Sequence, residues 1–230
     1  MAKQYSDISD LSDDEISGEQ AVLDQALASK AALALKDLSP VLGARPIVLV
    51  GMMGAGKTTV GRRLAKRMDR TFVDADQEIE AAAGMSISEI FETHGEASFR
   101  DGERKVIKRL LKEPGIVLAT GGGAYMNADT RNAIAEHGVS IWIKAEFEIL
   151  MARVRRKSNR PLLQQKNPEA VMRRLIDERY PIYAQADVTV LSKNSPHSVV
   201  VSDVIVALDD YLNSLQQSRA HLRPQEQSHD

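Results

Sequence analysis

The stretch Ile47-Val48-Leu49-Val50-Gly51-Met52-Met53-Gly54-Ala55-Gly56-Lys57-Thr58-Thr59 sets four apolar residues against a glycine-rich turn that ends in Lys-Thr. Its spacing is G-x-x-x-x-G-K-[ST], in the context of a strand feeding a turn that opens a helix. Glycines let the backbone curl until successive N–H groups point inward at phosphate oxygens. The helix beginning near Lys57 adds the positive end of its dipole. Gly54, Ala55, Gly56, Lys57, Thr58 and Thr59 thus read as a phosphate cradle. Lys57 reaches the β- and γ-phosphates, and the Thr58 hydroxyl ligates Mg²⁺. The pattern points to a nucleoside triphosphate and leaves the acceptor of the phosphoryl group open.

Outward from this loop, short apolar runs recur at 71–73, 116–119, 139–143 and 187–191. Helical stretches fall near 57–68, 75–109 (broken around Gly84 and Gly95), 127–137, 146–157, 168–184 and 198–212. Strands alternating with helices predict an α/β fold, with a parallel five-stranded sheet covered by helices on both faces. Residues 1–43 precede this pattern as an extension. Residues 1–20 carry Asp7, Asp10, Asp13, Asp14, Glu15 and Glu19 among serines and are expected to be disordered. Residues 21–37 are rich in helix formers, with Leu23, Leu27, Leu33 and Leu35 as an imperfect apolar face, and Pro40 and Gly43 close the segment. The main domain spans 44–214, and the polar stretch 215–230 reads as a disordered tail.

A net charge of −2 gives no global pull toward nucleic acid or anionic membrane. Zero cysteines exclude disulfides, thiolate zinc sites and cysteine nucleophiles. With no membrane-spanning run and no basic-then-apolar leader, the expectation is a cytoplasmic monomer without nucleic-acid or membrane partners.

In a sheet of this kind, ligands gather at the carboxyl ends of the strands. After the second strand stands Val73-Asp74-Ala75-Asp76. Two carboxylates at a strand end suit a metal-side and a substrate-side role, although Asp76 before Gln77-Glu78 would also cap a helix. After the third strand stands Thr120-Gly121-Gly122-Gly123-Ala124, where missing side chains allow close approach of a ligand or of another backbone. Arg100 could meet an anionic substrate, since guanidinium matches carboxylate bidentately, but an Arg on a charged helix is more often simply solvated. The basic run Arg153-Val154-Arg155-Arg156-Lys157-Ser158-Asn159-Arg160-Pro161 lacks the interleaved aromatics of a nucleic-acid patch. It reads instead as a mobile lid, at about 157–168, that places an Arg on the transferring phosphoryl group.

Together these motifs resemble shikimate kinase, in the nucleoside-monophosphate-kinase-like branch of P-loop kinases. The resemblance rests on Gly51–Thr59, Asp74-Ala75-Asp76, Ser86–Phe91, Gly95–Arg100, Gly121–Ala124, Arg160-Pro161-Leu162-Leu163 and Glu178–Tyr183, and covers about 44–214. It implies a P-loop kinase that moves the γ-phosphate of ATP to the 3-hydroxyl of shikimate, a step toward chorismate and the aromatic amino acids. Asp76, Arg100, Gly121, Gly122, Gly123 and Arg179 would hold shikimate, with the two arginines on its carboxylate and Asp76 as the base. Thr58 would bind Mg²⁺ directly and Asp74 through water. Lys57 and Arg160 would stabilise the transferred phosphoryl charge, and Arg156 and Pro196 would flank the adenine. The extension 1–43 is foreign to the family's core.

Two other readings compete. A gluconate kinase of the same branch would keep the phosphate loop and lid, but it would not require Arg100 and Arg179 around Asp76 with a triple glycine. A GTP-dependent switch reads guanine through Asn-Lys-x-Asp and senses phosphate through Asp-x-x-Gly. In this chain no Asn precedes a Lys, and no Gly has Asp three residues before it.

Overall fold

The computed structural model describes residues 13–156, 167–193 and 195–221. In chain order they form α1 (Asp13–Leu42), β1 (Ile47–Val50), α2 (Lys57–Arg67), β2 (Thr71–Asp74), α3 (Ala75–Ala83), α4 (Ile87–Leu110) and β3 (Ile116–Ala119). A short 3₁₀ turn (Ala124–Met126), α5 (Ala128–His137), β4 (Val139–Lys144), α6 (Phe147–Arg155), α7 (Pro168–Tyr183), β5 (Val188–Leu191) and α8 (His197–His221) follow. Arg160 and nearly all of the expected lid lie outside the described residues.

The strands form one sheet in the order β2-β3-β1-β4-β5, and every neighbouring pair is parallel. The two strands nearest the centre on one side, β1 and β3, are buried along their whole length. They read as unbroken apolar runs because helices cover both faces. At one edge β5 alternates, with Val188 and Val190 buried and Thr189 and Leu191 exposed. The order turns at β1: β3 and β2 lie on one side, β4 and β5 on the other. A crevice outside the carboxyl ends of the strands is built in at such a point.

Local chemistry fixes the element ends. Ser86 opens α4 with a reciprocal cap, its backbone N–H donating to Glu89 at 2.7 Å while its hydroxyl accepts from the Glu89 N–H at 3.3 Å. The interruption at Gly95 is a kink inside α4, where the backbone departs from helix at φ 76° and ψ 169°.

The ends of the chain depart from expectation. Helix α1 starts at Asp13, inside the stretch expected to be disordered, and continues through Pro40 to Leu42. Its buried stripe is Ala31, Ala34, Leu38 and Leu42, at spacings of three and four residues that suit a helix face. The leucine face expected for 21–37 does not pack as such: Leu23 is 63% and Leu33 64% exposed. Helix α8 likewise runs on to His221, past the expected end at Leu212 and into the expected tail. The physical reason is shared, since α1 and α8 pack against each other. Val200, Val204, Ile205, Leu208 and Leu212 of α8 are all buried in the same core. Arg67, in the last turn of α2, ties the pair down by donating to the Ser202 hydroxyl at 2.8 Å and to the Ala28 carbonyl at 3.4 Å. No helix among the described residues is long and apolar enough to cross a membrane.

Candidate active site

A cavity of about 460 Å³ opens at the carboxyl end of the sheet. The phosphate loop and the first turn of α2 line its middle through Met53, Gly54, Gly56, Lys57, Thr58 and Thr59. Asp74, Asp76, Thr120, Gly121 and Gly122 line one end, and Arg153, Arg156 and His197 the other. The loop is shaped by glycine. Gly56, the N-cap of α2, has φ 101°, a conformation costly for other residues. A Cβ at Gly51 would stand 2.6 Å from the Ile143 carbonyl oxygen, so the loop lies hard against β4. Ala55 contributes backbone only to this end, its methyl group being buried in the core. No acidic residue occupies the first turn of α2, and Lys66 and Arg67 occupy its last. The positive end of the helix dipole is thus left for an anion. The Lys57 ammonium donates to the Gly51 and Met52 carbonyls at 2.7 and 3.0 Å, which holds it over the loop.

Asp74 serves two neighbours. Its Oδ2 accepts from the Thr58 hydroxyl at 3.0 Å, and its Oδ1 accepts from the Asp76 N–H at 3.2 Å. The cap of α3 is therefore Asp74, and the Asp76 side chain faces the triple glycine.

Each of those three glycines lies under one or two charged side chains, contributed by α3, α4 and α7. A Cβ at Gly121 would meet Asp76 Oδ1 at 2.8 Å and Glu103 Oε1 at 2.9 Å. One at Gly122 would meet Arg179 Nη1 at 3.3 Å, and one at Gly123 both terminal nitrogens of Arg100 at 2.6 Å. What the missing side chains admit is thus a ring of acidic and basic groups from α3, α4 and α7.

Arg100 donates to Glu103 Oε2 at 2.7 Å and to Glu96 Oε1 at 3.3 Å, with its guanidinium 5.0 Å from the centre of the Phe99 ring. Burial works against its charge, but the hydrogen bonds to Glu103 and Glu96 outweigh burial and hold it charged. Glu103 is only 3% exposed, and its Oε1 has no hydrogen-bond partner. Burial pushes its carboxyl above the usual range against the pull of Arg100, and Asp76 adds to the rise. Below the glycines lies Tyr183, fully buried, whose hydroxyl donates to the Gly122 carbonyl. Burial raises this phenol to about 12, so it remains a donor at neutral pH.

At the other end Arg153 bridges two loops. Its Nη1 donates to the Ala55 carbonyl at 3.2 Å and the Ser192 hydroxyl at 2.8 Å, and its Nη2 to the Lys193 carbonyl at 2.9 Å. Arg156 lines the cavity. Pro196 is exposed and is not part of the lining, which its neighbour His197 supplies. Sequence reasoning assigned no role to Arg153, Glu103, Tyr183 or His197. For Glu103 a signal existed: it stands three residues after Arg100 on one helix, the spacing at which opposite charges meet.

A family model described as shikimate kinase matches residues 53–209. The chain belongs to the shikimate kinase family. A shikimate kinase of Rhodopseudomonas palustris is 54% identical over 176 residues, which cover 76% of this chain and 87% of the relative. One of Bradyrhizobium diazoefficiens is 56% identical over the same length, covering 76% of this chain and 85% of the relative. A solved structure of shikimate kinase from Acinetobacter baumannii in complex with shikimate has 37% identity and a TM-score of 0.64, and covers 81% of this chain and 99% of that one. The span matched by the shikimate kinase model holds the whole cavity lining and leaves α1 outside it.

Proposed function

We propose that this protein transfers the γ-phosphoryl group of ATP to the 3-hydroxyl of shikimate, giving shikimate 3-phosphate and ADP. The observation that carries the reading is the convergence of Asp76, Arg100 and Arg179 on three consecutive glycines beside a phosphate loop. Shikimate is a hydroxylated ring with one carboxylate. Two guanidinium groups suit the carboxylate, the missing side chains of the glycines let those groups close in around one place, and Asp76 stands beside the phosphate loop for the hydroxyls.

Phosphoryl transfer asks for positioning and charge neutralisation more than for covalent chemistry. The N–H groups of the loop and of the first turn of α2 would hold the phosphate oxygens, with Lys57 leaving its loop carbonyls for the β- and γ-phosphates. Asp76 would accept the proton of the attacking hydroxyl. Arg160 would add positive charge from the lid. Arg153 and Arg156 mark the end of the cavity left for the nucleoside, with Pro196 next to it.

For Mg²⁺ the donor set fits: a hydroxyl and a carboxylate 3.0 Å apart, Thr58 and Asp74, where the phosphate loop meets the acidic end of the cavity. A Mg²⁺ held chiefly by phosphates and water asks for only one or two protein ligands. When bound, the ion neutralises phosphate charge.

The test is ADP release from ATP and Mg²⁺ with shikimate, gluconate or nucleoside monophosphates as acceptors. Turnover with shikimate alone is expected. Turnover of gluconate without shikimate would overturn the assignment.

A further inference from the structure

Acceptor and nucleotide rest on different loops, the triple glycine and the phosphate loop. Transfer needs the attacking oxygen about 3–3.5 Å from the phosphorus, so the separation of the two loops is part of the chemistry. At the sheet, Thr120 ties the root of the triple glycine to β1. Its N–H and its hydroxyl each donate to the Leu49 carbonyl at 3.1 Å. Past Thr120 the three glycines have no side chains with which to anchor themselves. Gly122 lies against the phosphate loop, where a Cβ on it would stand 3.6 Å from both the Gly51 carbonyl oxygen and the Met53 nitrogen.

Tyr183 stands where these two loops meet. Its hydroxyl donates to the Gly122 carbonyl, and the same oxygen is 4.0 Å from Met52 Sδ in the phosphate loop. The ring is fully buried. It packs on Trp142 of β4 and on Tyr125, with ring centres 5.9 and 6.4 Å away. A close-packed interior transmits strain, so the hydroxyl is a fixed post rather than a swinging contact. Tyr183 does not line the cavity, so it acts on a ligand only through Gly122.

We propose that Tyr183 is a positioning residue for phosphoryl transfer: by holding the Gly122 carbonyl beside Met52, its hydroxyl fixes the spacing of the two loops, and with it the approach of the acceptor hydroxyl to the γ-phosphorus. This rests on the reading of the cavity as a shikimate kinase site. The residue does not touch the reacting atoms.

The test compares wild type with Tyr183→Phe, which keeps the ring and removes the donor, and with replacement of Tyr183 by 4-aminophenylalanine, which restores a donor at the same place. Thr120→Val, which cuts the hydroxyl tie at the other end of the loop, is a second, independent variant. Tyr183→Phe should lower kcat about tenfold to a hundredfold, the cost of a small misplacement. Affinities for ADP and for shikimate, read by calorimetry, should stay within about twofold. The ratio of ADP to shikimate 3-phosphate formed should rise above one. Water then reaches the γ-phosphorus in place of the misplaced hydroxyl: its oxygen bonds to phosphorus as the bond to ADP breaks, its proton passes to solvent, and inorganic phosphate is released. 4-Aminophenylalanine should bring back both kcat and the ratio, and Thr120→Val should show a smaller change of the same kind. Saturating shikimate and ATP keep a weakened variant folded during the assay. Wild-type kcat and ratio in Tyr183→Phe and Thr120→Val would overturn the inference, as would a loss in Tyr183→Phe that falls on ligand affinity or melting temperature with the ratio unmoved. If wild type turned over gluconate and not shikimate, the kinase assignment would fall first and take the inference with it.

Discussion

Arg100 lies so close over Gly123 that a Cβ there would stand 2.6 Å from both Nη1 and Nη2 of the guanidinium. The guanidinium is held by Glu103 and Glu96, so it can yield to a methyl group only by breaking those contacts. Gly123→Ala should therefore raise KM for shikimate about tenfold or more, each tenfold being about 1.4 kcal/mol, while ADP affinity stays put. Steady-state kinetics with each substrate varied in turn decides this. An unchanged KM for shikimate would remove Arg100 from substrate binding.

Asp76→Asn keeps the shape of the side chain but cannot take up the hydroxyl proton. The loss should fall on kcat, by about 10²–10⁴ as for a general base. The backbone cap of α3 belongs to Asp74, so the variant keeps the start of that helix. A wild-type kcat would exclude Asp76 as the base.

Glu103 supplies a pH signature. Its carboxyl is raised in the folded protein above the ordinary 4.5. Below the ordinary value it is protonated in both states and its contribution is fully present. As pH rises through the folded value, stability is lost, because the unfolded chain gives up the proton more readily. Glu103→Gln removes this titration. The difference in melting temperature, variant minus wild type, should grow from acid pH upward and then level. Parallel curves would show that Glu103 does not titrate in this window. The variant should also bind shikimate more weakly, because Arg100 loses its nearest anion.

Much of this was legible in the sequence. The strands at 47–50 and 116–119 agree with expectation to the residue, because central strands buried on both faces are written as unbroken apolar runs. The phosphate loop and the Asp-x-Asp carry their chemistry in their spacing. The role of the triple glycine was only half legible. That something comes close could be read from the missing side chains, but not that the visitors are Asp76, Glu103, Arg179 and Arg100, which meet only through tertiary packing. Arg153 looked like any other member of a basic run, since its partners, Ala55 and Ser192, are far away in sequence. The buried stripe of α1 was obscured because two of its four positions are alanines, whereas the eye follows leucines.

Helix α1 lies outside the matched family span but not outside the core. Deleting residues 1–20 should leave kcat/KM within about threefold, because 18–20 are exposed and distant sites couple weakly. Deleting 1–43 removes Leu38 and Leu42, each about 1% exposed and each worth about 1.5–3 kcal/mol of burial. It also uncovers α8. The melting temperature should fall by roughly 10 °C. Thermal scans of both truncations, run beside the kinetics, decide this, and an unchanged melting temperature in the longer truncation would show that α1 is not docked.

Trp142 is the chain's single tryptophan. Its ring packs edge-on against Tyr180 at 4.9 Å, and its Cδ1 would lie 3.3 Å from a Cβ on Gly51. The indole therefore sits where the phosphate loop leaves the sheet, on the strand that the loop presses against. The protein thus carries its own optical probe. With one indole where the loop leaves the sheet and no other to dilute the signal, emission under rapid mixing would follow nucleotide arrival in real time, without a label and without a coupled assay.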